Sequence, residues 1–168
     1  MSSVFCNRIS VKSGKGFTLI EMLIVVSLIT AVAALGLFVS MDSFRSYHFH
    51  NERDTVVSTL QKARSQAMSN MCFGNSCTNG KPHGVYFGTK GSYVIFQGAS
   101  YAARDTGVDE VIEAKDAAAT ITGFTSVVFA RLSGDAVTLP QDTLTVTDES
   151  GKVSVITVTP QGRITWSN

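Results

Sequence analysis

The chain has few of the residues that interrupt regular structure or carry out chemistry. Its first proline is Pro82, so no residue forces a break in a helix over the first 81 positions. It has three cysteines and three histidines, and it lacks Gly-x-Ser-x-Gly, Walker-loop and His-Glu-x-x-His sequences. We therefore expect a protein that is not an enzyme and that holds no cofactor and no metal.

The candidate metal ligands are better explained in other ways. His48 and His50 precede Cys72 by about 22 residues, or about 33 Å along an unbroken helix, which excludes a zinc site shared with that cysteine. The acidic residues between positions 105 and 113 match no calcium-loop spacing, and we interpret them as a solvated loop. We also expect His83 to lie in a loop.

Charged residues are sparse, at 16% of the chain, and the formal net charge is +1. Arg8, Lys12 and Lys15 are three of the 14 basic residues, and without them 11 basic residues face 13 acidic ones, a net charge of −2. That balance argues against nucleic-acid binding driven by bulk charge. The same three residues should hold the N-terminus in the cytoplasm, with everything after Met41 outside it.

The most informative segment is a run of 20 uncharged residues, Met22 to Met41, with Glu21 at its head. At about 1.5 Å per residue it is long enough to cross a membrane. A carboxylate in hydrocarbon costs about 2.5–3.5 kcal/mol, so Glu21 needs a proton or a cationic partner.

Two ordinary explanations compete for this segment. A secretory signal peptide could be cleaved after Ala31-Val32-Ala33, but its apolar region usually spans about 7–15 residues, and this run is longer and is headed by a glutamate. A plain membrane anchor is the other explanation. Neither accounts for the sequence of residues 16–21.

Residues 16–21 read Gly-Phe-Thr-Leu-Ile-Glu, and they resemble the class III signal of type IV pilins and type II secretion pseudopilins. The resemblance implies that a prepilin peptidase cuts between Gly16 and Phe17, removes residues 1–16 and N-methylates Phe17. It also implies that Glu21 of one subunit pairs with the Phe17 amine of its neighbour and so sets the helix register. Many pilins have a helix-breaking proline near the end of the apolar half, whereas this chain has Phe38 and no proline there.

A second periodic segment follows the apolar run. Apolar residues recur there at three- and four-residue intervals, as on one face of a helix, while Arg53, Lys62 and Arg64 fall off that face and should be solvated. The apolar positions are Val56, Val57, Leu60, Ala63, Ala67, Met68 and Met71. We predict one helix from about Phe17 to about Asn70, with this stripe packed on the domain that follows.

The cysteines divide between the leader and the rest of the chain. Cys6 is removed with the leader, which leaves Cys72 and Cys77 separated by four residues. In an oxidising periplasm this spacing suits a small disulfide loop, with Gly74 and Asn75 easing the turn. The alternatives are that both cysteines are free thiols or that they bind a metal. A redox-active pair is less expected here, because such pairs more often have two intervening residues.

After Cys77 the pattern changes to short β-rich segments near residues 85–87, 93–96, 111–112, 120–121, 127–129, 144–147, 153–158 and 163–166. Turn residues at 88–91 and 148–151 predict two hairpins. The predicted fold is α+β and pilin-like: a long N-terminal helix, hydrophobic in its first half, packed on a C-terminal antiparallel β-sandwich of seven to nine strands.

The predicted organisation has four parts. Residues 1–16 are a cleaved leader, 17–41 a transmembrane and assembly helix, 42–77 the helix continuation with the disulfide loop, and 78–168 a periplasmic β-rich domain. Together with the resemblance, this arrangement implies a protein of the bacterial inner membrane with a single span, assembled into a periplasmic filament. The resemblance implies three partners: prepilin peptidase, other pilin or pseudopilin subunits through the N-terminal helix, and an inner-membrane assembly platform.

Three later stretches look like the H-type pseudopilin and FimT-type minor pilin family. They are residues 60–67 (Leu-Gln-Lys-Ala-Arg-Ser-Gln-Ala), Val128-Phe129 with Gly134, and the closing residues 156–163. The resemblance implies a minor pseudopilin, a structural subunit of the type II secretion pseudopilus that helps move folded proteins across the outer membrane. The alternative is a minor type IV pilin involved in pilus assembly or DNA uptake.

DNA-binding members of that family use a Gly-Arg-x-Arg motif. Here the matching residues are Gly162-Arg163-Ile164-Thr165, so the second arginine is missing. Arg163 remains a candidate for a weak nucleic-acid contact, but one arginine neutralises little phosphate charge. Nucleic acid is therefore not an expected partner.

Overall fold

The computed structural model describes residues 16–75, 77–88, 91–115, 119–138 and 142–168, the side chains of residues 37–42 excepted. Of the predicted leader, only Gly16 lies among the described residues. The chain divides between Asp42 and Ser43 into two compact units, of which the second is Ser43–Asn168.

One helix, α1, spans Leu19–Met68. Its C-terminal end is closed by Asn70, which has a left-handed φ of 53°. The Asn70 N–H donates to the Ala67 carbonyl at 3.1 Å, and the Met71 N–H donates to the Gln66 carbonyl at 3.0 Å. This paired pattern is a Schellman motif, which satisfies carbonyl groups that would otherwise lack partners at the end of the helix. The predicted helix is confirmed to within two residues at each end.

The predicted apolar stripe is mostly confirmed within the second unit. Val56, Leu60, Ala63 and Ala67 are completely buried, and Val57 is 6% exposed. Met68 and Met71 were expected in the stripe, but each is 44% exposed, because the helix ends at Met68 and the chain turns at Asn70.

The prediction that three basic residues of α1 face solvent is wrong for two of them. Lys62 is exposed, but Arg53 and Arg64 are half-buried. The Arg53 guanidinium lies 5.9 Å from the centre of the Trp166 ring. The Arg64 side chain bonds to the backbone carbonyls of Gly134 and Gln161. Long cationic side chains can cover apolar surface while their charged ends find polar partners, which periodicity alone does not reveal.

Within the described residues, nine strands form two antiparallel sheets. In chain order they are β1 (His83–Phe87), β2 (Ser92–Gln97), β3 (Glu110–Glu113), β4 (Thr120–Gly123), β5 (Ser126–Phe129), β6 (Ala136–Thr138), β7 (Thr143–Thr147), β8 (Val153–Val158) and β9 (Ile164–Ser167). One sheet has the order β3-β2-β1-β5-β6 and the other β4-β7-β8-β9. A short 3₁₀ turn, Thr106–Val108, precedes β3.

Both predicted hairpins are confirmed. In the β1–β2 hairpin Phe87 pairs with Tyr93, and in the β7–β8 hairpin Thr147 pairs with Val153. Strand β6 was not predicted, because three residues are too few to show alternation. His83 was expected in a loop, but it is the first residue of β1 and only 1% exposed. The strand begins directly after Pro82, and proline is tolerated at such a strand start.

The core lies where α1 and both sheets meet within the second unit. Phe49 and Leu60 from the helix, Val85 and Phe129 from one sheet, and Ile156 from the other are all completely buried in one cluster. The inward positions of the strands alternate with more exposed ones, as in residues Val153–Val158. The predicted α+β, pilin-like fold is confirmed.

Candidate functional site

The most unusual surface of the first unit is an uncovered apolar helix. Residues Leu19–Gly36 have a mean hydropathy of 2.4, and none of them is buried within the chain. Their length and composition suffice to cross a membrane. A cleaved secretory signal sequence has the same length and composition. The residues at the start of this helix must therefore distinguish a membrane-spanning helix from a signal sequence.

Polar side chains within this helix are satisfied by the helix itself. The Ser27 hydroxyl donates to the Ile24 carbonyl at 2.8 Å. The Thr30 hydroxyl lies 3.0 Å from the Val26 carbonyl and 2.9 Å from the Ser27 carbonyl. Because their donors are paired locally, these residues are compatible with hydrocarbon.

Thr18 caps the start of α1. Its hydroxyl oxygen accepts from the Glu21 N–H at 3.3 Å, and its carbonyl accepts from the Met22 N–H at 3.2 Å. The residues Thr-x-x-Glu match the capping-box pattern, which could have identified Thr18 from the sequence. Thr18 directly follows Phe17. In a chain cleaved after Gly16, the helix would therefore begin at the third residue, Leu19.

Glu21 lies in the first turn of α1, and its side chain is exposed. It is the only ionisable side chain between residues 16 and 41. The N-terminal end of a helix has partial positive charge, which favours a carboxylate in the first turn. In water this placement is unremarkable. In lipid or inside a bundle of apolar helices, the carboxylate would be the one group that demands a specific partner.

Gly16 makes no close contact with the described residues. A Cβ atom added at Gly16 would have none of their atoms within 4 Å. Packing against these residues therefore gives no reason for a glycine at this position, and the cleavage site at Gly16 stays a prediction.

Cys72 and Cys77 lie side by side, with their Cα atoms 5.7 Å apart, a separation that a disulfide can bridge. Phe73, which lies between them, contacts the domain. Its N–H donates to Gln97 Oε1 at 2.7 Å, and its carbonyl accepts from Gln97 Nε2 at 3.2 Å. The disulfide itself stays a prediction.

The turn before β9 contains the candidate nucleic-acid contact. Arg163 is exposed, whereas Gly162 is buried with a left-handed φ of 71°. A Cβ atom on Gly162 would overlap the Gly134 carbonyl oxygen and lie 2.8 Å from Arg64 Nε. Arg64 Nε donates to the Gly134 carbonyl at 3.2 Å, and its Nη2 donates to the Gln161 carbonyl at 3.4 Å.

Two consequences follow from this turn. Gly162 is needed for close packing between two turns, and that packing is a structural reason for a glycine at this position. Arg64, which lies beneath the turn, has its guanidinium engaged by backbone carbonyls. Arg163 is thus an exposed cation whose neighbour Arg64 already has partners.

The acidic residues near position 109 have partners within the protein. Arg104 Nε lies 2.7 Å from Asp109 Oδ2, and Lys62 Nζ lies 2.5 Å from Glu110 Oε1. Asp105 Oδ1 accepts from the Gly107 N–H at 3.3 Å and caps the 3₁₀ turn. In the part of the chain that the structure describes, no three His, Cys, Asp or Glu side chains form a group that could hold a metal ion.

Comparison with known families identifies the N-terminal segment. Residues 12–37 match the prokaryotic N-terminal methylation motif, the prepilin signal of type IV pilin-like proteins. The motif implies processing by prepilin peptidase and assembly with other pilin-like subunits. With the uncovered apolar helix, it fits a pilin-like or pseudopilin protein anchored in the membrane by a single span. No curated protein and no solved structure matches the chain.

Proposed function

We propose that the chain is a minor pseudopilin of a type II secretion system. In this role it is a non-enzymatic subunit of a short periplasmic filament that helps move folded proteins across the outer membrane. The supporting observation is Glu21, the single ionisable residue of an uncovered apolar helix that directly follows a peptidase signal.

The proposed assembly step depends on a pair of charges. Cleavage after Gly16 leaves a cationic amine on Phe17, and Glu21 of the adjacent subunit neutralises it. Lipid chains are as apolar as the helix surface, so apolar contact alone gives little preference for one stagger of two helices over another. A buried ion pair supplies that preference, because every misaligned stagger leaves two charges unpaired.

The preference for secretion over DNA uptake is supported by the distribution of basic groups. The chain without its leader has a net charge of −2. Arg163 is exposed, but position 165 is threonine and Arg64 is bonded to backbone carbonyls. Phosphate binding needs several free cations, because each contact contributes through the counterion that it releases.

The alternative proposal is a minor type IV pilin that takes part in pilus assembly or DNA uptake. The exposed Arg163 beside the closely packed Gly162 favours it. Gene neighbourhood separates the two proposals: a secretion ATPase and an outer-membrane secretin beside other pseudopilin genes indicate secretion, and a pilus or competence cluster indicates the alternative.

The filament role is tested with Glu21→Ala and Glu21→Gln in the native host. Both variants should insert and be cleaved normally, because removing a charge makes the helix more compatible with lipid. Crosslinking to other filament subunits and secretion should fall strongly, since losing one partner of a buried pair costs about 3–5 kcal/mol. Glu21→Gln removes the negative charge but keeps the size of the side chain, so a defect in this variant must come from the loss of charge.

Ser27→Ala is the matched control. It also removes a polar group from the apolar helix, but the Ser27 hydroxyl bonds only within its own helix. This variant should crosslink and secrete like the wild type.

Wild-type crosslinking and secretion in both Glu21 variants would refute the ion-pair mechanism. Normal secretion with a defect in piliation or DNA uptake in a deletion strain would favour the alternative function.

A further inference from the structure

The second unit begins with an uncovered aromatic pair, because Phe44 and Tyr47 are 64% and 67% exposed. Phe44 follows Met41, the last residue of the uncharged run, by three positions. Three residues of extended chain reach about 11 Å at most, so connectivity alone keeps Phe44 near the end of that run. A bilayer adds a headgroup layer of about 5–8 Å to each side of its hydrocarbon core. A run that spans the core therefore places Phe44 at or next to the headgroups.

A surface cavity of about 290 Å³ lies beside Phe44. Its wall comes from segments that are distant in the sequence. The helix contributes Phe44, Arg45 and His48, while Lys115 and the turn at residues 148–150 contribute the rest. The Phe44 and His48 rings meet edge-on, with their centres 4.3 Å apart. All of these residues belong to the second unit, so an exposed aromatic ring lies beside charged residues from three segments of that unit.

Hydrogen bonds hold the three segments in place. The Lys115 N–H donates to Glu52 Oε2 at 2.5 Å. The Lys152 ammonium group donates to the Ser46 hydroxyl at 3.0 Å, which ties the β7–β8 turn to the helix. Within that turn, the Asp148 carboxylate accepts from the Lys152 N–H at 2.7 Å. The wall of the cavity is therefore positioned by contacts within the second unit.

The wall carries charges of both signs. Arg45 and Lys115 are exposed, and neither takes part in an ion pair among the described residues. Asp148 and Glu149 supply two carboxylates, so the formal charge of the wall is zero with His48 neutral. The Asp148 carboxylate is engaged by its own turn, whereas Glu149 is exposed and has no ion pair among the described residues.

This pattern selects among ligand classes. A simple anion would find two cations but also two carboxylates, and the described residues contain no group of three side chains that could hold a metal ion. A zwitterionic phospholipid headgroup carries a phosphate and an ammonium group, so it complements both signs. Arginine and lysine bind phosphate, and aromatic side chains are enriched at the headgroup level of membrane proteins. Proximity to the apolar run along the chain favours a lipid over a protein partner.

We propose that this face of the second unit binds zwitterionic phospholipid headgroups of the membrane that the first unit spans. The phosphate binds at Arg45 and Lys115, the ammonium group lies beside Glu149, and Phe44 and Tyr47 contact the upper part of the acyl chains. This contact holds the β-rich domain of an unassembled subunit against the bilayer. The proposal rests on the membrane span and not on the choice between secretion and pilus assembly.

The test uses the full chain in lipid nanodiscs with tryptophan fluorescence as the readout. Trp166→Phe removes the only tryptophan, and Val153→Trp adds a probe next to Lys152. Val153 is exposed and lies more than 100 positions after the apolar run, so the membrane reaches it only when this face lies on the bilayer. The discs contain phosphatidylcholine, a fraction of it labelled with a nitroxide near the headgroup end of an acyl chain. The nitroxide should quench this probe.

Leu132→Trp, in the same Trp166→Phe background, is the matched control probe. Leu132 is also exposed, and its N–H donates to the Ala67 carbonyl at 2.9 Å. Ala67 lies 23 residues after Phe44 in α1, or about 35 Å along the helix. The nitroxide should quench the Val153→Trp probe at least about twofold more than the Leu132→Trp probe, because quenching by a nitroxide acts only at short range.

Charge variants separate headgroup recognition from proximity to the membrane. Arg45→Gln combined with Lys115→Gln should lower the quenching of the Val153→Trp probe to the level of the control probe. Arg45→Lys should retain the quenching, because it keeps the positive charge. Arg163→Gln is the matched control variant, since Arg163 is exposed but does not line the cavity, and it should also retain the quenching. Discs of an uncharged galactolipid, labelled in the same way, lack phosphate and should give only the control level.

Insertion of the span is checked separately with Leu28→Trp, which the acyl-chain label should quench in both kinds of disc. Loss of that quenching would overturn the membrane span and this proposal together. Three results with normal insertion would overturn the headgroup proposal alone: equal quenching of the Val153→Trp and control probes, equal quenching in galactolipid discs, or unchanged quenching in the Arg45→Gln, Lys115→Gln variant. Circular dichroism of each variant should match that of the wild type, which confirms that the variants are folded.

Discussion

Gly162→Ala is the change whose effect follows most directly from the structure. Gly162 has a left-handed backbone with φ of 71°, and an added Cβ would overlap the Gly134 carbonyl oxygen and crowd Arg64 Nε at 2.8 Å. Two penalties therefore combine. A non-glycine residue in the left-handed region costs about 1–2 kcal/mol, and overpacking costs about 1–3 kcal/mol.

We expect Gly162→Ala to lower the free energy of unfolding by about 3 kcal/mol. For a unit of this size, each kcal/mol corresponds to a fall in Tm of about 4 °C, so the expected change is about 12 °C. Trp166, the only tryptophan, lies in β9 beside this turn and is a suitable fluorescence probe of unfolding in the full chain in detergent.

Gly151→Ala separates the two penalties. Gly151 also has a left-handed φ, 81°, but an added Cβ would meet no atom within 4 Å. This variant should lose about 1 kcal/mol, from backbone strain alone. Equal losses in both variants would refute the argument that close packing explains Gly162. A loss of nucleic-acid binding in Gly162→Ala without a loss of stability would instead indicate that this turn contacts nucleic acid.

Three further predictions address processing, the cysteines and pH. Mass spectrometry from the native host should find an N-methylated chain that starts at Phe17, and Gly16→Glu should retain the leader because the peptidase needs a small residue there; cleavage of that variant at Phe17 would contradict the expectation. Non-reducing peptide mapping should find Cys72 linked to Cys77, and a double serine variant should lose roughly 2 kcal/mol of stability yet still assemble; a map with both thiols free would refute the crosslink. Burial lowers the pKa of His83 in the folded state, so its contribution to stability is present above the ordinary value of 6.5 and is lost as pH falls through the folded pKa. Urea unfolding of the full chain should show this loss on acidification and a weaker one in His83→Gln; equal pH dependence would refute the assignment.

Local patterns in the sequence were sufficient for the fold class, the long helix and the two hairpins. The helix follows from three- and four-residue periodicity without an early proline, and the two hairpins follow from turn residues between alternating strands. The N-terminal methylation motif, matched over residues 12–37, is a short contiguous stretch of sequence. Each of these features is encoded by neighbouring residues, so the sequence alone predicted it.

The contacts made by particular side chains could not be predicted in this way. Glu52 looks like a surface residue of a helix, but it is completely buried, where it accepts from the Tyr93 hydroxyl and from the Lys115 N–H at 2.5 Å. A buried carboxylate is tolerated only where donors meet it, and these donors come from segments 41 and 63 residues away.

The same reason explains the remaining differences between expectation and structure. His83 is buried, and Arg64 bonds to carbonyls of the turns at Gly134 and Gln161, because distant segments converge on them. The cavity beside Phe44 likewise exists only where the helix, Lys115 and the turn at residues 148–150 meet. The sequence by itself determined which segments are helical, extended or apolar. Only the tertiary structure decided which polar atoms acquired partners, because pairing depends on separations in space that sequence spacing does not encode.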